Sequence, residues 1–243
     1  MIASDSRRDQ LRDNLAALRS RIGAACADAG RNTSEVTLIA VTKLFPATDA
    51  ATLAELGVAD LGENRDQEAS SKAAEVRVLT DAPVRWHFLG RLQSNKARSV
   101  ARYAHVVHSV DRLGLIEPLA AGARTAGRDR LPVLVQLSLD APTGDDTGRG
   151  GLATLDLLAF ADEVARHQEL ALAGVMAIAP LGADPDQAFG LLARLSERLR
   201  ESYPEASMVS AGMSGDLESA IRHGATHVRV GTALLGRRKP TIR

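Results

Sequence analysis

Short β-rich runs and longer helical patterns alternate eight times between residues 36 and 236, and this alternation constrains the fold more than any other feature. The runs are "VTLIAVT", "ADLG", "VRWHFLG", "HVVHSV", "LPVLVQLSL", "LALAGVMAI", "SMVSAG" and "THVRVG". Helical stretches follow them over 47–57, 63–76, 93–104, from Asp111, from Leu152, from Asp186 to about Ser202, over 214–224, and at a short helical end. Strand followed by helix, repeated, forces parallel strands with right-handed crossovers. Eight such units in about 210 residues predict a closed (β/α)8 TIM barrel. Ahead of them Leu11, Leu15, Leu18, Ile22, Ala25 and Ala29 form one stripe at helical spacing. The stripe predicts an extra N-terminal helix over about residues 5–30, with the barrel over about 36–236 and the whole chain as one domain.

An open doubly wound sheet is the competing architecture, and "GRGGLA" at 148–153 is its one signal, a G-x-G-x-x-A between a strand and a helix. The polar stretch "DAPTGDDT" separates it from the preceding strand, whereas a dinucleotide fingerprint needs a tight turn off the strand end. The expected role is a flexible loop. Thirty basic residues balance thirty acidic ones, so no global field draws the chain to nucleic acid or an anionic membrane. The basic segment "SNKARSVARY" reads as a solvated helix face. No apolar run has membrane length and no signal-type segment opens the chain, which therefore reads as cytoplasmic. The single cysteine, Cys26, excludes an intramolecular disulfide and reads as a packing residue.

In a parallel barrel, ligands sit at the C-terminal ends of the strands, and phosphate is often held by the loops after strands seven and eight. Strand seven ends "SAGMSGD" and strand eight "VRVGT". Gly212, Ser214, Gly231 and Thr232 there could frame an anion site, or Ser214 could be an ordinary helix N-cap. Arg229 shares its strand face with His227 and Gly231, opposite Val228 and Val230. Outward valines leave Arg229 pointing into the barrel, where it needs a carboxylate partner or a ligand. Lys43 stands at the end of the first strand, at the same mouth. An amine, a phosphate cradle and an inward arginine together suit pyridoxal 5'-phosphate, whose aldehyde forms a Schiff base with lysine.

"AVTKLFP", "LGENRDQE", "WHFLGRLQSNK", "GVMAI" and "SAGMSGDLESAIRHGATHVRVGTALLG" resemble, in order and spacing, the YggS/PROSC family of pyridoxal-phosphate homeostasis proteins. The resemblance implies a barrel like the N-terminal domain of alanine racemase. It implies Lys43 as the cofactor lysine, Asn64 and His87 as pocket-lining residues, and Ser214, Gly231 and Thr232 as phosphate holders. Arg229 would face the pyridine nitrogen, where a cation disfavours ring protonation and makes the cofactor a weaker electron sink. Two small departures, Leu61 before "GEN" and Arg91 in "GRLQSNK", remove no chemical group the site needs.

Likeness to alanine racemase raises the question of catalysis. A two-base racemase needs a second proton carrier opposite its lysine, supplied in that enzyme by a tyrosine from a second domain. Here the chain ends just after the eighth unit, and Tyr103 and Tyr203 fall on helices or their ends. The expectation is therefore a monomeric pyridoxal-phosphate carrier that buffers the cofactor or delivers it to client enzymes, with no metal. Weak racemase-type chemistry and a class I aldolase-type Schiff-base barrel are the alternatives.

Overall fold

The computed structural model describes residues 4–140 and 150–236. The chain opens with α1 (Asp5–Asp28) and then alternates: β1 (Thr37–Val41), α2 (Ala47–Glu55), β2 (Asp60–Glu63), α3 (Asp66–Leu79), β3 (Arg85–Phe88), α4 (Ser94–Tyr103), β4 (Val106–Val110) and α5 (Ile116–Thr125). It continues with β5 (Leu131–Leu137), α6 (Leu157–Ala165), β6 (Leu170–Ala177), α7 (Pro185–Ser202), β7 (Met208–Ser210), α8 (Leu217–Arg222), β8 (His227–Val230) and α9 (Thr232–Leu235). All eight strands are parallel and pair in chain order, and β1 closes the barrel on β8 from Thr37↔His227 to Ala40↔Val230. The expected (β/α)8 barrel with an N-terminal helix is what the chain forms.

Alternating side chains divide the core. Val228, Val230, Ala40 and Leu61 face outward and pack beneath the Leu11, Leu15, Leu18 and Ile22 stripe of α1. Each leucine so buried contributes roughly 1.5–3 kcal/mol. Cys26 is fully buried in this layer and packs like a small apolar residue. Inside the barrel, Val106, Leu134 and Met176 form a small apolar plug. Closure there leaves no room at Gly174: with φ 148°, a Cβ would stand 1.9 Å from the Met208 carbonyl oxygen.

Two expectations shift. The helix after β4 begins at Ile116 rather than Asp111, because Leu113–Leu115 form a 3-10 turn first. Of the "GRGGLA" stretch, 148 and 149 lie outside the described residues. Gly150 and Gly151 sit at φ 69° and 130°, Leu152 bridges back to Leu137, and α6 starts only at Leu157. The described glycines open no helix, so the fingerprint geometry is missing.

Candidate binding site at the barrel mouth

β1 ends at Val41, and the half-buried Lys43 follows in a short connection whose neighbours are pinned. Thr42 is fully buried; its N–H donates to the Gly62 carbonyl at 2.9 Å and its hydroxyl to Glu63 Oε1 at 2.7 Å. Leu44 lies at φ 65°, a left-handed conformation that leucine rarely adopts, and its N–H donates to the Glu68 carboxylate. Lys72 of α3 ties these anchors together, donating from Nζ to the Thr42 carbonyl at 2.8 Å, Glu63 Oε1 at 2.5 Å and Glu68 Oε1 at 3.0 Å. Three acceptors match the three ammonium protons. Burial pushes the Glu63 carboxyl above its usual range despite Lys72 beside it. Lys43 is the contrast: among the described residues its amine enters no hydrogen bond or ion pair.

Because Ala40 pairs with Val230, the loop after β8 stands beside this lysine segment. A Cβ on Gly231 would meet the Val41 carbonyl oxygen at 3.3 Å. Across the same mouth, Gly212 has φ 86° and a Cβ there would come within 2.6 Å of Ala220 Cβ, so the turn off β7 needs glycine. α8 begins at Leu217, and Asp216, not Ser214, closes the preceding turn by accepting the Met213 N–H at 2.6 Å. Ser214 is half-buried inside that turn. Among the described residues, the N–H groups of Ser214, Gly215, Thr232 and Ala233 donate to no protein acceptor. Two adjacent loops thus present free N–H donors at one end of the barrel, a cradle suited to an anion.

Beneath the mouth a polar chain crosses the interior. Arg229 is buried, and its guanidinium donates to Ser210 Oγ at 2.7 Å and to the Ala177 carbonyl at 2.9 Å. Sequence reasoning expected a carboxylate or a ligand; the protein partners found are a hydroxyl from β7 and a backbone carbonyl from β6. His108 Nδ1 lies 2.9 Å from Ser210 Oγ, His108 Nε2 lies 2.9 Å from His87 Nδ1, and His87 Nε2 lies 2.7 Å from Asp60 Oδ1. Arg85 donates to Asp60 Oδ2 at 2.7 Å. A single tautomer assignment satisfies every link. In that assignment Arg229 donates to Ser210, Ser210 to His108, His108 to His87, and His87 to Asp60. Burial lowers His108 well below its ordinary value and brings Arg229 down to about 10. Burial also raises Asp60, but the His87 and Arg85 hydrogen bonds outweigh it and hold that carboxyl below its usual range. His87, read as pocket-lining, has both ring nitrogens engaged in this chain.

A sequence profile described as "Alanine racemase, N-terminal domain" matches residues 7–239. The pyridoxal phosphate homeostasis protein of Mycobacterium tuberculosis is 47% identical over 252 residues, covering 98% of this chain and 96% of that protein. The chain belongs to the pyridoxal phosphate homeostasis protein family. Among solved structures, PipY of Synechococcus elongatus, described as having PLP bound, is 35% identical with a TM-score of 0.79, covering 93% of this chain and 100% of that one. An alanine racemase from Clostridium difficile 630 is 16% identical with a TM-score of 0.68 over 96% of this chain and 58% of its own, a likeness of fold alone.

In this homeostasis-family barrel the expected residues divide by position. Lys43, Ser214, Gly231 and Thr232 stand at the C-terminal mouth, on the β7, β8 and β1 loops. Half-buried Asn64 follows β2 and borders a groove of about 1050 Å3 that also touches Arg65, Arg91 and Arg112. Arg229 and His87 lie in the interior below. Tyr103 and Tyr203 sit at the C-terminal ends of α4 and α7, away from the mouth, and Tyr203 donates to Asp162. Sequence reasoning missed Glu63, Glu68, Lys72, His108 and Ser210. Glu68 and Lys72, four apart on one helix, carried a readable pairing signal; the other three depend on register between strands.

Proposed function

We propose that this chain binds pyridoxal 5'-phosphate at the C-terminal mouth of its barrel and serves to hold the cofactor and pass it on. Bound there, the cofactor supplies an aldehyde that condenses with a primary amine, releasing water. One observation carries the reading: among the described residues Lys43 is an amine without a partner, in a segment whose neighbours are pinned, beside two loops whose N–H donors have no acceptor there either. Lys43 would supply the amine. The N–H groups around Ser214, Gly231 and Thr232 would take the phosphate, and Asn64 would bound the β2 side. Arg229, still a cation at neutral pH with its pKa near 10, would meet the ring nitrogen. A cation there withholds the proton that makes the ring a strong electron sink. His87 would act through the hydrogen-bonded chain rather than by contact.

Holding suits this geometry better than two-base racemisation, because both tyrosines stand at the far end of the barrel. Pyridoxal-phosphate-dependent enzymes of the cytoplasm are the recipients such a monomeric carrier would serve. No helix among the described residues is long and apolar enough to cross a membrane. The test is the visible spectrum of the purified protein before and after borohydride reduction, followed by peptide mass mapping. A yellow protein that bleaches and carries a pyridoxyl phosphate group on Lys43 supports the reading. A protein that stays colourless and unmodified with added pyridoxal phosphate sinks it and brings a Schiff-base aldolase forward.

A further inference from the structure

We infer that Lys72 is a positioning residue for Lys43, acting with Glu63 and Glu68 as a clamp that sets the angle at which the Lys43 amine enters the mouth. The inference rests on the cofactor reading above and adds the groups that make Lys43 competent. Lys72 is 5% exposed, and each of its ammonium protons has an acceptor, so it is a poor candidate for the reacting amine. Through its acceptors it reaches both sequence neighbours of Lys43. The Thr42 carbonyl is held directly at 2.8 Å, and Glu68, held at 3.0 Å, accepts the Leu44 N–H in turn. Glu63 adds a third hold by accepting both Lys72 Nζ and the Thr42 hydroxyl on Oε1.

The backbone at Leu44 makes the purpose legible. A leucine at φ 65° is unfavourable and persists only where its surroundings over-determine it. It is 45% exposed, so apolar packing is not the main restraint, whereas the Glu68 carboxylate bonds its N–H. The fold therefore maintains a strained turn next to a lysine that has no partner of its own among the described residues. Among the described residues Glu63 Oε2 is buried without a hydrogen-bond partner, which makes the clamp costly to bury and hard to explain as a device for stability alone.

The full chain and the variants Lys72→Met, Glu68→Gln and Glu68→Gln with Leu44→Asn are exposed to pyridoxal phosphate. They are quenched with borohydride at intervals, and the adduct on Lys43 is quantified by mass spectrometry. Binding of pyridoxine 5'-phosphate, which has the ring and phosphate but no aldehyde, is measured alongside by calorimetry. Lys72→Met is expected to label Lys43 about tenfold or more slowly, the scale of a small misplacement of a reacting group, while pyridoxine phosphate binds as it does to wild type. Glu68→Gln is expected to slow labelling, and Leu44→Asn to restore much of it, because asparagine adopts the left-handed conformation readily. Wild-type labelling in both Lys72→Met and Glu68→Gln overturns the inference, as does an equal loss of pyridoxine phosphate binding or a failure of Leu44→Asn to rescue. If Lys72→Met does not fold, the Glu68 pair decides, since that carboxylate is partly exposed. A wild-type chain that gains no adduct on Lys43 overturns the cofactor reading, and this inference with it.

Discussion

At Ser210 a single hydroxyl joins two charge-sensitive partners: it accepts from Arg229 and donates to His108, and all three side chains are buried. Ser210→Ala removes a single oxygen but leaves an imidazole nitrogen and one guanidinium N–H unpaired, which should cost about 1–3 kcal/mol in urea unfolding. A cost near zero would mean that the chain through the interior is not formed. His227 makes a second prediction at this scale. Burial brings it from 6.5 to about 4, so between those values the unfolded chain takes up a proton that the folded chain refuses. Stability therefore falls as pH drops through that window, by at most about 1.4 kcal/mol per pH unit per proton. His108, lowered in the same direction, adds to the loss. Glu63, raised by burial, opposes it by protonating earlier in the folded state than in the unfolded. Unfolding midpoints measured from about pH 7 to about pH 5 should slope less steeply in His227→Gln, and an unchanged slope would contradict the assignment. The inward aim of Arg229 was legible in the alternation of Val228 and Val230. Its partners were not, because Ser210 and Ala177 come from two other strands whose offset only barrel closure fixes.

α1 was equally legible as an apolar stripe, yet its polar edge carries consequences that no periodicity encodes. Arg21 donates to Glu218 through two nitrogens and to the Ser214 carbonyl at 2.8 Å, while Arg31, in the connection that follows α1, caps the far end of α8 through the Ile221 and Ala225 carbonyls, each at 2.8 Å. The hydrogen bond to Glu218 raises Arg21 above its ordinary value, and the reciprocal bond lowers Glu218. A helix outside the barrel thus braces the turn whose N–H groups are proposed to take phosphate. Arg21→Met should weaken pyridoxine phosphate binding several-fold with only a modest loss of stability, about 0.5–1.5 kcal/mol, since the pair is partly solvated. Arg31→Met is the control: it should lose stability by a similar amount and leave affinity untouched. Equal affinities in the two variants would show that the brace does not reach the site. The partners lie about 190 residues away in sequence, which is why single-sequence patterns named neither arginine. α8 is a different case: the competing signals are both local, and Asp216, three residues after Met213, closes the turn where Ser214 looked like a cap.

Across the whole molecule the barrel interior holds an apolar plug of Val106, Leu134 and Met176 and the hydrogen-bonded chain from Arg229 to Asp60, while the mouth carries N–H donors and an amine that have no partner among the described residues. The groups that hold the interior are thus distinct from those proposed to meet the ligand, so binding should stabilise the chain without remodelling it. A ligand that binds only the folded state adds about 2.7 kcal/mol when present at a hundred times its Kd. For a chain of this size that corresponds to a rise in Tm of about 5–10 °C. Pyridoxine 5'-phosphate should produce that shift equally in wild type and in Lys43→Ala, because it uses the loops after β7 and β8 and needs no amine. Pyridoxal phosphate should shift wild type further than Lys43→Ala, the difference measuring what the covalent bond contributes beyond the phosphate cradle. If both compounds shift the variant and wild type alike, Lys43 is not the attachment point. If neither shifts either protein, the cradle is not a phosphate site.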